Sequence, residues 1–173
     1  MRDMMSGRQM NRLLQGDVGS GKTAVAAALV YSAAKNSMQS ALMAPTEVLA
    51  EQHYKTFLKL FDGCGINVEL LTGSDTAAQK RRKKEALKAG EIDLLIGTHA
   101  IIQSDVEFKS LALVITDEQH RFGVEQRNAL GEKGENPHLY VMSATPIPRT
   151  LALIIYGELD ISILDELPPG RQK

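Results

Sequence analysis

The feature that most constrains the fold of this chain is an eight-residue segment near its beginning, GDVGSGKT at residues 16–23. It matches the pattern G-x-x-x-x-G-K-[ST] at every specified position, and it lies between an apolar run and an alanine-rich stretch typical of a helix. Glycines at these positions allow successive backbone N–H groups to turn toward one phosphate, and the helix adds the positive end of its dipole. The motif therefore predicts a strand, a phosphate-binding loop and a helix, in that order.

The loop residues have distinct roles in this interpretation. Lys22 would reach the β- and γ-phosphates of a nucleotide, and the Thr23 hydroxyl would hold Mg²⁺. A chance match is the alternative, expected in about one chain in a hundred of this length. The dinucleotide pattern G-x-G-x-x-G does not fit the spacing, which disfavours a dehydrogenase. The predicted phosphate-binding residues are Gly16, Asp17, Val18, Gly19, Ser20, Gly21, Lys22 and Thr23.

Short apolar runs alternate with amphipathic stretches along the rest of the chain. The apolar runs predict strands buried on both faces of a parallel sheet. They cover residues 12–15, 40–44, 67–71, 93–97, 111–116, 139–143 and 160–164. Helices are predicted over residues 22–35, 47–61, 76–89, 121–130 and 149–155. This alternation predicts a doubly wound α/β fold with a mostly parallel sheet and helices on both faces, in which ligands bind at the carboxyl ends of the strands.

Composition narrows the class of protein further. The 173 residues contain 20 Lys and Arg against 21 Asp and Glu, with 43% hydrophobic residues, which is ordinary for one globular domain. One cysteine excludes an intrachain disulfide, and with the four histidines it shows no zinc-binding spacing. No apolar run approaches the roughly 20 residues of a membrane span, so we expect a cytoplasmic protein with no membrane partner. The balanced charge argues against a domain that binds nucleic acid unaided.

A second candidate site follows the predicted strand at residues 111–116, which runs directly into Asp117 and Glu118. If this strand and the one before the loop share a parallel sheet, both carboxylates lie near the loop. Asp117 would then hold Mg²⁺, directly or through water, and Glu118 would act as a base or an orienting group for an attacking water. An Asp-Glu pair alone is more often a solvated turn, and the upstream loop makes the catalytic interpretation preferable. Gln119 and His120 could sense the γ-phosphate and its loss.

Together, these segments resemble the superfamily 2 helicases, and among them the family that acts on branched DNA. RLLQGDVGSGKT is similar to motif I, APTEVLAEQHY to motif Ia, LLTGS to motif Ib, DEQHRFGVEQR to motif II, and SATPIPRTLAL to motif III. The similarity covers nearly the whole chain in the family's order. Transcription-repair coupling translocases share GTH, HRFGV and ATPIPRT and are the nearest alternative. The Gln of DEQH and the ending LPPGR favour the branched-DNA family.

The resemblance implies an ATP-driven motor on branched double-stranded DNA in repair and recombination, with ATP and Mg²⁺ as cofactors and Lys22, Asp117, Glu118 and His120 as catalytic residues. Residues 1–173 would form the first of two RecA-like domains, and residues 167–173 would begin the linker to the second, which carries an arginine finger. We therefore expect a monomeric piece of a longer protein, which alone binds ATP weakly, hydrolyses it slowly and does not unwind DNA. A nucleotide switch without DNA activity is the alternative from a different class.

Small residues that follow the middle strands are the candidates for DNA contacts: Thr46, Gly73, Ser74, Thr98 and His99. Hydroxyls and backbone amides at such positions bind phosphates without adding net charge. Thr46 and Ser74 also suit the N-cap positions of the helices that follow them. One threonine does not easily serve both roles, so both interpretations stay open at Thr46.

Residues near the predicted motif III are candidates for coupling the ATP site to DNA. Ser143, Ala144 and Thr145 carry small side chains, two of them hydroxyls that could exchange hydrogen-bond partners, and Gln119 could take part with them. Arg149 could share this role or form an ion pair with a nearby carboxylate.

One dense basic run, KRRKK at residues 80–84, lies on a predicted helix. Five consecutive charges cover all faces of a helix, so a solvated surface is the first interpretation and a DNA contact at Arg81 and Lys84 the second. Outside the predicted motif II, His53 and His138 are expected to pack or to face solvent.

Overall fold

A computed structural model describes residues 9–117, 129–144 and 160–164 of the chain. The strands are β1 (Asn11–Gly16), β2 (Gln39–Met43), β3 (Val68–Leu71), β4 (Leu94–Gly97), β5 (Leu111–Asp117), β6 (His138–Ser143) and β7 (Asp160–Leu164). The helices are α1 (Lys22–Lys35), α2 (Glu47–Leu60) and α3 (Ala77–Ala89), with a 3₁₀ helix at His99–Ile102 that the sequence patterns did not predict. No helix in these ranges is long and apolar enough to cross a membrane.

The seven strands form one sheet in the order β3-β4-β2-β5-β6-β1-β7, and every neighbouring pair is parallel. Helices α1 and α2 pack on one face, where Val30 and Phe57 are fully buried. Helix α3 and the 3₁₀ helix pack on the other face through Leu87 and Ile101. The predicted doubly wound α/β fold is therefore confirmed.

The ends of the helices follow from local capping. Helix α1 covers the predicted residues, and α2 ends one residue earlier than predicted. Helix α3 begins after Thr76, whose hydroxyl accepts the Gln79 N–H while the Gln79 side chain accepts the Thr76 N–H. This reciprocal pair makes Thr76 the N-cap, so the prediction of Ser74 as a cap is wrong. The predicted helix at residues 149–155 lies outside the described residues, as does most of the one at 121–130.

One buried glutamine organises the edge of the sheet where β2 begins. The Gln39 side-chain amide donates to the carbonyls of Leu87 and Ile92, at 2.9 and 2.8 Å. Its oxygen accepts from the N–H groups of Lys109 and Ser110, at 2.7 and 3.0 Å. All four hydrogen bonds of this side chain are satisfied, so it ties the end of α3 to the segments that enter β4 and β5.

At the opposite edge, where the strands end, the order of the sheet brings distant residues together. Strand β6 lies between β1 and β5, with Gln15 of β1 beside Ser143 and Asp117 of β5 beside Met142. The loop that leaves β1 and the carboxylate that ends β5 therefore meet across a single strand. This edge holds the candidate site.

Candidate nucleotide-binding site

The loop from β1 to α1 is a tight turn built on glycines. Gly19 and Gly21 have φ values of 85° and 94°, in the left-handed region that glycine adopts without strain. Within the turn, the Ser20 N–H donates to the Asp17 carbonyl at 3.0 Å. Gly21 occupies the N-cap of α1 and provides no side-chain cap to the first N–H groups of the helix. These donors lie where a phosphate would bind.

The Lys22 side chain folds back over the base of this loop. Its ammonium donates to the carbonyls of Gly16 at 2.6 Å and Asp17 at 2.8 Å. An ammonium has three donors, so these two contacts leave a third for a ligand above the loop. The positive charge therefore lies at the phosphate loop, and its contact with the β- and γ-phosphates stays a prediction.

A cavity of about 340 Å³ opens between the loop and the neighbouring strand ends. Its volume falls in the range of small-ligand sites, about 300–1,000 Å³. The lining residues come from the loop, α1, α2 and the ends of β5 and β6: Val18, Gly19, Gly21, Lys22, Thr23, His53, Asp117, Met142 and Ala144. The structure thus brings Lys22, Thr23 and Asp117 to one cavity.

Asp117 provides the carboxylate of this cavity. Its side chain is 16% exposed, and its Oδ2 atom lies 2.5 Å from the Nε2 atom of His53. Thr23 contributes a hydroxyl to the same lining. Oxygen atoms of this kind are the ligands that Mg²⁺ prefers, and Mg²⁺ usually takes only one or two protein ligands together with phosphate oxygens and water. No group of three or more His, Cys, Asp or Glu residues that could hold a metal ion occurs in the described ranges.

His53 is the residue of this site that the sequence interpretation missed. The ring does pack, as expected, with its centroid 6.4 Å from that of Phe57, but it also reaches Asp117. A helical signal was available: Ala50, His53 and Phe57 are spaced three and four residues apart and therefore share one face of α2. Since Ala50 and Phe57 are typical of a core-facing stripe, His53 had to point toward the sheet as well. His138, by contrast, accepts the Met10 N–H at the other edge.

The candidate coupling residues fall partly within the described structure. Ser143 is buried at the end of β6, and Ala144 lines the cavity. Five predicted site residues lie outside the described residues, and their roles stay predictions: Glu118, Gln119, His120, Thr145 and Arg149.

Thr46 caps helix α2. Its hydroxyl oxygen accepts the Leu49 N–H at 3.3 Å, which leaves the hydroxyl proton available for another acceptor. The cap interpretation is therefore correct, and a DNA contact through the proton stays a prediction. Thr98 precedes the 3₁₀ helix, which His99 begins, and makes no side-chain cap there.

Gly73 and Ser74, two further candidates for DNA contact, both form hydrogen bonds within the protein. The Gly73 N–H donates to the Glu47 carboxylate at 2.7 Å, and the Ser74 hydroxyl lies 2.8 Å from that of Thr72. The Gly73 bond connects the loop after β3 to the first turn of α2, and the Ser74 contact lies within that loop. These hydrogen bonds stabilise the fold at the positions where a DNA contact was predicted.

The basic run on α3 is only partly a solvated surface. Lys83 is 10% exposed and donates to Asp75 at 2.8 Å and to the Leu70 carbonyl at 2.5 Å. Lys84 pairs with Asp105 at 2.5 Å. The solvated interpretation is thus wrong for Lys83, whereas Lys84 forms an ion pair with the exposed Asp105 at the surface. Arg81, whose side chain is 79% exposed, fits the interpretation of a solvated surface.

Asp75 shows the electrostatic consequence of that pairing. Burial tends to raise the pKa of this carboxyl, but the hydrogen bonds from Lys83 and the Thr72 N–H outweigh burial, and the pKa lies below its usual value. The ionised form is therefore the one that the fold stabilises.

The family described as DEAD/DEAH box helicase matches residues 1–154, and the chain belongs to it. Over 171 residues it is 58% identical to the ATP-dependent DNA helicase RecG of Bacillus subtilis (strain 168), covering 99% of this chain and 25% of that protein. It is also 59% identical to RecG of Aquifex aeolicus (strain VF5), covering all of this chain and 22% of the relative. The predicted resemblance to superfamily 2 helicases, and to the branched-DNA family among them, is confirmed. The chain spans about a quarter of the length of these relatives.

Solved structures agree with this assignment. A structure of RecG bound to a three-way DNA junction matches 99% of this chain and 23% of its own, at 50% identity and a TM-score of 0.85. The helicase MrfA matches 94% of this chain and 28% of its own, at a TM-score of 0.72 and 17% identity, which is a likeness of fold.

Proposed function

We propose that this chain is the ATP-binding motor domain of a helicase that couples ATP hydrolysis to the remodelling of branched DNA. The observation that carries the proposal is the meeting of Lys22, Thr23 and Asp117 at one cavity. Asp117 comes from a different motif than Lys22 and Thr23, and together the three supply the cation, the hydroxyl and the carboxylate that phosphoryl transfer requires. The similarity to RecG, which has been solved bound to a three-way DNA junction, supports branched DNA as the substrate.

Each residue of the site has a defined task in this proposal. The loop N–H groups and Lys22 bind the β- and γ-phosphates and stabilise the negative charge that develops during transfer. Thr23 and Asp117 hold Mg²⁺, whose positive charge helps to neutralise the phosphates. Glu118, next in the chain, accepts a proton from the water whose oxygen attacks the γ-phosphorus as the bond to the β–γ bridging oxygen breaks.

The site also requires a partner domain. Helicase motors of this kind bind the nucleotide between two RecA-like domains, and we propose that residues 167–173 lead to the second. Ser143 and Ala144, at the end of β6, would transmit the state of the cavity toward the DNA-binding loops. The protein would act as a cytoplasmic monomer.

ATP hydrolysis by the whole protein tests this function, measured with a three-way junction, with linear duplex and without DNA. We expect the junction to stimulate hydrolysis most, and Glu118→Gln to abolish hydrolysis while ATP binding persists. Glu135→Gln, the same substitution at an exposed residue, is the matched control and should change neither. Nucleotide binding with no response to DNA would instead indicate a nucleotide switch, and equal stimulation by linear duplex would favour a coupling translocase.

A further inference from the structure

We propose that His53 is a positioning residue for the Mg²⁺ ligand Asp117. The inference deepens the proposed function and rests on it. An ionised carboxylate only accepts hydrogen bonds, so the Nε2 atom of His53 is the donor in the 2.5 Å contact with Oδ2. This bond fixes one carboxylate oxygen and leaves the other for the cation.

The imidazole is held in place by packing before any ligand binds. His53 lies in the middle of α2, with 12% of its side chain exposed. Its ring is tilted 49° against that of Phe57, which in turn contacts Phe61 with centroids 5.7 Å apart. A ring confined in this way offers its donor in a fixed direction, so little side-chain freedom remains to be lost when the cation arrives.

Asp117 needs such a support because only its backbone is anchored by the sheet. The residue pairs with Met142 at the last position of β5, where the strand ends at the cavity. A carboxylate there is free to rotate about its side-chain bonds unless a second group holds it. Mg²⁺ demands near-ideal geometry from its ligands, so a rotating carboxylate binds it less well than an oriented one.

The position of His53 also allows the opposite role, in which the imidazole weakens Mg²⁺ binding at Asp117. Because the ring lines the same cavity as Thr23 and Asp117, it could compete with the cation for the carboxylate. A positioning role predicts weaker Mg²⁺ binding when the imidazole is removed. A competing role predicts stronger binding, so one measurement separates the two.

The test measures binding of a fluorescent ATP analogue to the whole protein across a titration of Mg²⁺. We expect His53→Ala to raise the Mg²⁺ concentration at half-maximal binding about tenfold, the lower end of the range for lost supports of metal ligands, with Mg²⁺-free nucleotide binding unchanged. His53→Gln should restore most of the Mg²⁺ response, because its amide nitrogen donates at nearly the same reach as Nε2. Gln52→Ala, on the exposed side of the same helix, should have no effect.

The outcomes separate this inference from the function on which it rests. If Asp117→Asn removes the Mg²⁺ response while His53→Ala leaves it intact or strengthens it, the positioning role is wrong and the nucleotide site stands. If the unchanged protein shows no Mg²⁺-dependent nucleotide binding, the proposed function itself fails. If His53→Gln fails to restore the Mg²⁺ response while Mg²⁺-free nucleotide binding is intact, the proposal is also overturned. Intact Mg²⁺-free binding shows that the variant is folded, because a general loss of structure would lower that binding in both His53 variants.

Discussion

Two groups of loops at the same edge of the sheet use their polar residues in opposite ways. The loop at residues 17–21 turns on left-handed glycines and presents donors to a cavity. In the loops at residues 44–46 and 72–76, the polar groups bond to the protein itself, as Gly73 does with Glu47 and Thr76 with Gln79. The small polar residues at these strand ends therefore stabilise the fold, whereas the loop with the fixed motif spacing lines a cavity.

The largest effect of a single substitution is expected at Lys22, in the loss of ATP hydrolysis. Lys22→Ala removes the charge that faces the phosphates, so we expect ATP hydrolysis by the whole protein to fall at least about 100-fold, as when one transition-state donor is lost. Stability should change little, since the bonds of Lys22 within the described part of the chain go to two carbonyls at its own loop. Lys35→Ala, on the same helix, is the control. If Lys22→Ala lowered the free energy of unfolding as strongly as it lowers hydrolysis, the proposed difference between the two regions would be contradicted.

In the second region, loss of Asp75 should affect stability instead of catalysis. Asp75→Asn deprives the buried Lys83 of its nearest anion, which we expect to cost about 2 kcal/mol in the free energy of unfolding at neutral pH. The exposed Asp62→Asn is the control.

The effect of Asp75 should also depend on pH in a defined direction. Because the pKa of Asp75 is lowered in the fold, its ionised carboxylate stabilises the protein at pH values above the usual pKa of an aspartate. This contribution is lost as the pH falls through the lowered pKa, so the gap between the unchanged protein and Asp75→Asn should close in acid. Urea unfolding at several pH values measures it, and a constant gap would refute the assignment.

Substitutions at Thr46 can separate a role in helix capping from a role in DNA binding. Thr46→Ala should lower the free energy of unfolding by about 1 kcal/mol through loss of the cap. Thr46→Asp keeps a capping oxygen but adds a negative charge, so we expect normal stability and roughly fivefold weaker DNA binding by the whole protein, equal to about 1 kcal/mol. Thr46→Ser is the control for both. Normal DNA binding by Thr46→Asp would leave Thr46 a cap only.

The smallest effect on stability and on DNA binding is expected on substitution of Arg81. It is exposed and lies 3.9 Å from Glu85, so Arg81→Gln should change the free energy of unfolding by less than about 0.5 kcal/mol. As a solvated residue it should also leave the salt dependence of DNA binding unchanged. A slope reduced by about one would instead indicate a phosphate contact.

The sequence predicted the strands well because buried parallel strands are apolar throughout, as in β4, and the phosphate loop because its spacing is specific. The approach of Asp117 to that loop was predicted on the condition that both strands share a parallel sheet. The capping pair of Thr76 and Gln79 was readable from spacing but was overlooked.

Contacts between distant segments were not predictable in this way. His53 and Asp117 are separated by 64 residues, and only the order of the strands and the packing of α2 bring them together. Lys84 likewise pairs with Asp105, 21 residues away, so this ion pair could not be inferred from a run of five basic residues. Local patterns determine elements and motifs, whereas the partners of polar side chains depend on how those elements pack.

Hydrogen–deuterium exchange tests the contrast between the two regions most directly. We predict that ATP and Mg²⁺ slow amide exchange at residues 17–24, because bound phosphates take up the N–H groups of the loop and of the start of α1. Exchange at residues 72–76 should not change, since the Thr72 and Gly73 N–H groups already donate to Asp75 and Glu47. Unchanged exchange at residues 17–24, or protection at residues 72–76 alone, would contradict the assignment of the nucleotide to the phosphate loop.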